Sequence, residues 1–198
     1  LLYLSTEAFP LIGAYKGVIM DKQKVIDAKD LKKFCMRVLL KEGMSPEYAQ
    51  ITAEVLSEID CFGIHSHGTK NLHNYIRKMR AGGMELNASP EILSEGPGYI
   101  LIVAHSAIGM VPAYKGMKLA VEKAGETGIA AVLVRNASHF GAAGFYALMA
   151  AKKDMIGLVF SNVDANMTIP GAKGKVLGNN PMAYGVPAGS YPPVFFDI

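Results

Sequence analysis

The spacing of hydrophobic residues changes along the chain, and this change constrains the fold more than any other feature. From Asp27 to Arg80, apolar residues recur at the three- and four-residue spacing of amphipathic helices. Farther on, short apolar runs alternate with helical stretches, at residues 99–104, 109–125, 129–134, 142–153 and 156–160. Because such alternation is typical of an α/β layer, we predict a mixed α/β (α+β) fold.

Local signals give the limits of the first helices, which are predicted over residues 27–43, 45–59 and 69–80. Ser45-Pro46-Glu47 combines an N-cap residue, a proline at the first helical position and an acid in the first turn. Residues 83–98 carry two prolines and several glycines, so we place a loop and a domain boundary there. The run 129–134 has the composition of a fully buried strand.

The predicted domains follow from these patterns. Met20 followed by two charged residues resembles a natural start, so we interpret residues 1–19 as a leader or displaced segment. Residues 20–95 are predicted to form a helical domain, and residues 96–198 an α/β domain. The last residues, 195–198, have the pattern of a strand interior, which predicts that a C-terminal part is missing.

The composition excludes several classes of protein. Hydrophobic residues make up 51% and charged residues 19%, which excludes a disordered chain. A net charge of +3 without a basic cluster predicts no nucleic-acid partner, and no apolar run reaches the roughly 18 residues of a membrane span. Cys35 and Cys61 lack metal-binding spacing and have apolar neighbours, so we predict packed thiols and a reducing, cytoplasmic location.

Three histidines, His65, His67 and His73, lie within nine residues. One interpretation is a metal site, but no further ligand is spaced to converge with them. Capping of local backbone groups is a second interpretation. Acid–base catalysis is a third, because imidazole gains and loses a proton near neutral pH. Ser66 is placed to orient His67, so both are candidate catalytic residues and no metal is expected.

A second histidine motif, Asn136 to Gly144, lies between a predicted strand and a predicted helix. Ligands of open α/β sheets bind at such turns, and a helix N-terminus favours an anion. His139 is therefore a candidate acid–base residue or cofactor contact, with a polar helix cap as the alternative. Gly141 is a candidate cofactor contact, with ordinary close packing as the alternative.

Two polar loops follow the predicted strand 156–160, and they contain Ser161, Asn162, Asp164, Asn179 and Asn180. Such side chains can bind ribose hydroxyls or a carboxamide, although Asn, Asp and Ser also form ordinary turns. The Gly-x-Gly-x-x-Gly fingerprint is absent, so no Rossmann site is predicted. The Gly-x-Ser-x-Gly motif of serine hydrolases is also absent.

Taken together and in this order, the motifs resemble the type-2 malate/L-lactate dehydrogenase family, which includes ureidoglycolate, sulfolactate and diketogulonate oxidoreductases. The resemblance covers about residues 21–198. It rests on the segments Gly63–Gly68, Gly128–Gly144, Pro170–Ala172, Leu177–Pro181 and Phe196–Asp197.

The resemblance implies a non-Rossmann α/β domain that binds NAD or NADP, and a homodimer with the active site near the subunit contact. It implies hydride transfer between the cofactor and a small 2-hydroxy or 2-oxo acid. It assigns the proton donor and acceptor to His67, and in some members to His139. It also implies cofactor contacts at residues 161–164 and at Asp197.

The chain departs from the family at Asn71 and Asn74, where arginine is common. Arginine is the natural clamp for a substrate carboxylate, so the substrate class is open, with Lys70 or Arg77 as a replacement. The alternative function is therefore a catalytically impaired relative that binds dinucleotide or only dimerises. A histidine-loop metalloenzyme is a third hypothesis.

Overall fold

A computed structural model describes residues 25–198, which fold into five α-helices and two three-stranded sheets. The helices are α1 (Ala28–Lys41), α2 (Pro46–Cys61), α3 (Leu72–Arg80), α4 (Met110–Thr127) and α5 (Ala143–Ala151). The strands are β1 (Glu91–Gly96), β2 (Tyr99–Val103), β3 (Ala131–Arg135), β4 (Gly157–Phe160), β5 (Met182–Ala188) and β6 (Tyr191–Asp197). The predicted mixed α/β class is confirmed. The predicted leader, residues 1–19, lies outside the described residues.

The predicted helix starts are confirmed because they depend on local hydrogen bonds. The Asp27 carboxylate accepts hydrogen bonds from the first N–H groups of α1, and Ser45 Oγ accepts one from the N–H of Tyr48 in α2. The third predicted helix begins as a single 3₁₀ turn over Thr69–Asn71 and continues as α3. Each helix therefore begins within a few residues of its predicted position.

One hydrophobic core joins the first three helices to α4 and α5. Leu39 of α1 and Leu56 of α2 are fully buried in the same cluster as Met110 of α4 and Tyr146 of α5. Helix α2 lies in the middle, because it packs against α1, α4 and α5. The division at residues 95–96 stays a prediction, but the helices on both sides of it share this core.

The first sheet has the order β1-β2-β3, with β1 antiparallel and β3 parallel to β2. The loop expected over residues 83–98 is wrong in part, since it contains β1. The fully buried strand expected over residues 129–134 is also wrong, because Leu133 of β3 is 57% exposed. The reason is that β3 lies at the sheet edge, where only the face carrying Val132 packs against α4, near Gly116.

The second sheet is antiparallel in the order β4-β5-β6, and its inner face packs against α5. A Cβ atom at Gly157 or Gly185 would lie within 2.7 Å of the Ala147 carbonyl oxygen, so only glycine allows this close packing. The outer face is apolar and exposed, with the rings of Tyr184 and Phe196 stacked at 5.3 Å. Within residues 25–198, no helix is long and apolar enough to cross a membrane.

The two cysteines differ in their surroundings. Cys35 is buried, and burial raises the pKa of its thiol to about 11. The prediction of a packed Cys61 is wrong, because this residue lies on the exposed side of the last turn of α2. Neither thiol is in a disulfide.

Candidate active site

The buried carboxylate of Asp60, at the end of α2, holds the loop that carries His67. Its Oδ2 atom accepts a hydrogen bond from the Thr69 N–H at 3.0 Å and another from the Thr69 hydroxyl. Its Oδ1 atom lies 3.2 Å from His65 Nδ1. Sequence analysis missed Asp60, although an acid at an otherwise apolar helical position is a recognisable signal. The His67 loop is therefore anchored at both ends to one buried group.

Glycine at position 68 is required by this arrangement, because a Cβ atom there would lie 2.1 Å from Asp60 Oδ1. We expect Gly68→Ala to displace the loop and to lower the free energy of unfolding by about 1–3 kcal/mol. Urea unfolding measures this loss. Gly83→Ala is the matched control, since a Cβ atom at Gly83 would meet nothing closer than 3.4 Å. Equal stability of the two variants would contradict the role of Gly68.

The three histidines of this region have different partners. His65 contacts Asp60, and His73 Nδ1 lies 2.8 Å from the Lys70 carbonyl oxygen. His67 Nδ1 lies 2.9 Å from Ser66 Oγ, the neighbour that we expected to orient it. In the part of the chain that the structure describes, no three His, Cys, Asp or Glu side chains form a group that could hold a metal ion.

The His139 loop is fixed to the segment that leads into α4. The Ser138 N–H donates to the Ala107 carbonyl oxygen at 3.0 Å, and the Gly109 N–H donates to the His139 carbonyl oxygen at 3.2 Å. A Cβ atom at Gly109 would lie 2.1 Å from the Ser138 carbonyl oxygen, so the loop approaches as closely as glycine permits. This packing brings the His139 ring to 5.4 Å from the His67 ring, with the two planes 29° apart.

The Nδ1 atom of His139 is enclosed by two hydrogen-bond partners. The Tyr75 hydroxyl lies 2.7 Å away, and the Gly141 N–H donates to the same atom at 3.3 Å. A backbone N–H can only donate, so Nδ1 is an acceptor and the neutral ring carries its proton on Nε2. The structure therefore assigns His139 as an Nε2–H hydrogen-bond donor.

The surroundings of His139 keep its ring neutral. Burial of the ring, together with the nearby charges of His67 and Lys78, lowers the pKa of His139 to about 4. The residue as a whole is exposed. Because hydrogen-bond partners enclose its Nδ1 edge, the accessible part of the ring is the opposite edge. Burial raises the pKa of Tyr75 far above its usual value, so the hydroxyl keeps its proton and donates it to Nδ1.

Sequence analysis missed Tyr75, whose partner His139 is 64 residues away. We expect Tyr75→Phe to lower turnover about 5–10-fold, the worth of one neutral hydrogen bond, with little change in KM. The ¹⁵N shifts of His139 report the population of the Nε2–H tautomer, which a purely structural role of Tyr75 would leave unchanged. Tyr99→Phe is the control, because among residues 25–198 the Tyr99 hydroxyl bonds only the Ser94 hydroxyl, at the surface. An unchanged tautomer population in Tyr75→Phe would contradict the assignment.

Hydrogen bonds join the two segments after β4 that carry the five predicted polar residues. The Ser161 N–H donates to the Pro181 carbonyl oxygen at 3.1 Å, and the Val163 N–H donates to Asn180 Oδ1 at 3.3 Å. The Asn179 side chain accepts from Asn166 at 3.5 Å. Within residues 25–198 the Nδ2 groups of Asn179 and Asn180 have no hydrogen-bond partner, so they remain as donors.

The other two predicted cofactor contacts have partners inside the chain. Asp197 Oδ2 accepts a hydrogen bond from the Gly144 N–H at 2.7 Å, at the first turn of α5. The Gly141 N–H donates to His139. The start of α5 therefore already faces a carboxylate, and the anion expected there would meet a negative charge. The cofactor roles of Gly141 and Asp197 stay predictions.

A cavity of about 760 Å³ lies beside His139 and α3, within the size range of small-molecule sites. It is lined by Asn71, Asn74, Tyr75, Arg77, Lys78, Arg80, Ala81 and His139. A second cavity of about 630 Å³, between α2, α4 and α5, is lined by none of the predicted site residues. The accessible edge of His139 thus meets a cavity with positively charged walls.

The chain is similar in sequence to known dehydrogenases. The chain is 41% identical over 177 residues to a malate dehydrogenase of Pyrococcus abyssi, covering 89% of this chain and 49% of that relative. It is 31% identical over 175 residues to an NAD(+)-type ureidoglycolate dehydrogenase of Escherichia coli O157:H7, covering 87% of this chain and 50% of that relative. The chain thus spans about half the length of the curated relatives it matches.

A solved structure and a family-wide sequence model give the same result. The structure of a malate dehydrogenase from Pyrococcus horikoshii OT3 superimposes with a TM-score of 0.86 at 37% identity, over 92% of this chain and 52% of that chain. The sequence model described as malate/L-lactate dehydrogenase matches residues 26–198. The match covers nearly all of the described residues, and the chain therefore belongs to the malate/L-lactate dehydrogenase family.

Proposed function

We propose that the protein is an NAD(P)-dependent oxidoreductase that transfers a hydride between the cofactor and a small 2-hydroxy acid. The observation that carries this proposal is the stack of His67 on His139, whose Nδ1 atom is held by Tyr75. This arrangement pairs an imidazole that can accept a proton with a fixed neutral hydrogen-bond donor, as required where a hydroxyl becomes a carbonyl. The names of the relatives, dehydrogenases of malate and ureidoglycolate, support the substrate class.

The two histidines differ in what they can do with a proton. Neutral His139 cannot give up its Nε2 proton without forming an imidazolate, so it donates a hydrogen bond to the substrate oxygen and stabilises charge there. His67 moves the proton. When its Nδ1–H donates to Ser66 Oγ, its Nε2 lone pair is free to accept the hydroxyl proton during oxidation. In reduction the same proton returns to the alkoxide oxygen.

The residues present fit a nicotinamide dinucleotide at the two loops after β4. Hydrogen bonds join the two segments that carry Ser161, Asn162, Asp164, Asn179 and Asn180, and within residues 25–198 the Asn179 and Asn180 amide groups keep free donors. Such groups suit ribose hydroxyls and a carboxamide. When bound, the cofactor would accept or supply the hydride at its nicotinamide ring. The relative from Escherichia coli is described as using NAD(+), which supports a nicotinamide cofactor without choosing between NAD and NADP for this chain.

A titration of the full-length protein with NADH and then NADPH tests this proposal. The fluorescence of the dinucleotide itself, excited at wavelengths that the aromatic side chains do not absorb, reports binding. We expect saturable binding, and the tighter ligand identifies the cofactor. Failure of both dinucleotides to bind the full-length protein would overturn the proposal.

Asn71 and Asn74 favour a second candidate, a relative that binds the dinucleotide without catalysis. Their amide groups replace the arginines that the family resemblance leads us to expect. A panel of 2-hydroxy and 2-oxo acids separates the two candidates. Turnover of any member supports the dehydrogenase, whereas saturable cofactor binding with no turnover supports the second candidate.

We further propose that the protein is a cytoplasmic homodimer. Two unpaired cysteines fit a reducing compartment. The apolar outer face of the second sheet, with Leu158 at 58% and Phe160 at 66% exposure, fits further burial against protein. Sedimentation equilibrium of the full-length protein measures the subunit number, and a monomer at micromolar concentration would contradict the dimer.

A further inference from the structure

The amide groups of Asn71 and Asn74 each donate one hydrogen bond inside the chain, and neither carries the positive charge of the missing arginines. The Asn71 Nδ2 group donates to the Ser66 carbonyl oxygen, and the Asn74 Nδ2 group donates to Asn71 Oδ1 at 3.3 Å. These bonds tie α3 to the loop that carries His67. The two amides therefore position the loop, and the charge that an anionic substrate requires must come from elsewhere.

Four basic residues lie in or next to α3: Lys70, Arg77, Lys78 and Arg80. The Arg80 guanidinium donates two hydrogen bonds to the Glu42 carboxylate, at 2.8 and 2.5 Å. Lys70 lies in the 3₁₀ turn and does not line the cavity. Arg77 and Lys78 do line it, and among residues 25–198 neither forms an ion pair with an acid.

The position along α3 distinguishes these two cations. Lys78 follows Tyr75 by three residues and Asn74 by four, so it lies on the same helical face as the group that holds His139. Arg77 follows His73 by four residues and is displaced toward the side of that exposed histidine. The charge of Lys78 also contributes to the lowered pKa of His139, whereas that of Arg77 does not.

We infer that Lys78 is the residue of this chain that binds the carboxylate of the substrate. The inference rests on the proposed function and names the group that recognises its substrate class. Lys78 and His139 line the same cavity, so a carboxylate bound by Lys78 would place the adjacent 2-oxo or 2-hydroxy oxygen within the cavity that His139 also lines. An ammonium is a point charge and not a bidentate fork, so the site recognises an anionic group of varied shape.

The effects of substitutions on KM distinguish the role of Lys78 from the roles of other basic residues. In the full-length protein we expect Lys78→Met to raise the KM for a 2-oxo acid about 10–100-fold, the worth of a hydrogen bond to a charged group. The expected change in kcat is smaller, and Lys78→Arg restores most of the lost affinity. Lys33→Met, which removes an exposed lysine of α1 that pairs with Asp30, is the matched control with near-normal KM. An unchanged KM in Lys78→Met, or a larger rise in Arg77→Met, would overturn the inference.

Binding of oxalate, measured by calorimetry, tests the inference without turnover. We expect the parent protein to bind oxalate and Lys78→Met to bind it about 10–100-fold more weakly, with an unchanged midpoint of urea unfolding. Oxalate binding that depends on Lys78 in a protein without turnover would support the inference while the proposed function fails. Oxalate binding that is equal in both proteins, or absent from the parent, would overturn the inference even if the enzyme is active.

Discussion

Replacing His67 with alanine is expected to lower turnover by about 10²–10⁴-fold, the contribution of a positioned acid–base group. The neighbouring His139 cannot replace it, because its Nδ1 atom is occupied by Tyr75 and Gly141 and its ring stays neutral. Cofactor affinity should not change, since the loops after β4 do not hydrogen-bond to His67 in the part of the chain described here. Steady-state kinetics and an NADH titration of the same variant measure the two quantities.

His73→Ala is the matched control for this prediction. His73 is an exposed histidine of the same region, and within residues 25–198 its ring hydrogen-bonds only to the Lys70 carbonyl oxygen. We expect its removal to leave turnover within about 2-fold, because surface substitutions usually have small effects. Turnover near the parent value in His67→Ala, or equal losses in both variants, would remove the proton-transfer role from His67.

The second large effect is expected at His139. His139→Ala removes the Nε2–H donor that we propose binds the substrate oxygen, and the loss of such a donor typically lowers kcat by about 10²–10³-fold. His139→Gln keeps an amide donor and should recover part of this loss. The effect should fall on kcat more than on KM, because the hydrogen bond strengthens as charge develops on the oxygen.

The pH dependence tests the neutral state of His139. Because the pKa of His139 is lowered to about 4, its titration gives no change in activity between pH 6 and 8. Any change in kcat/KM in that range therefore comes from another group and should persist in His139→Gln. A change that disappears in His139→Gln would contradict the neutral state of His139.

The parts of the fold that depend on local signals could be predicted from sequence. Asp27 and Ser45 cap helices through bonds to residues two or three positions away, so their meaning is visible in a short segment. The Ser-His-Gly motif indicated His67, and the His-Phe-Gly motif indicated His139, because each motif also lies within a short segment. The structure adds that the rings of these two residues meet.

What could not be predicted depends on contacts between distant segments. Tyr75 acquires its role from an atom 64 residues away, and Asp60 acquires its role from the loop that folds back onto it. Strand β1 was missed because Pro90 and Gly96 suggest a loop, whereas pairing with β2 stabilises a strand. The exposure of β3 depends on its place at the sheet edge, which an apolar run does not reveal.

The most direct test of the central claim is the transfer of deuterium from NADH or NADPH labelled at the reactive C4 position to a 2-oxo acid. The full-length protein is incubated with the labelled cofactor and the acid, and the product is analysed by mass spectrometry. The proposed function predicts a 2-hydroxy acid with one deuterium at C2, formed about 10²–10⁴-fold more slowly by His67→Ala under the same conditions. A product without deuterium, or the same deuterated yield from His67→Ala, would contradict the account.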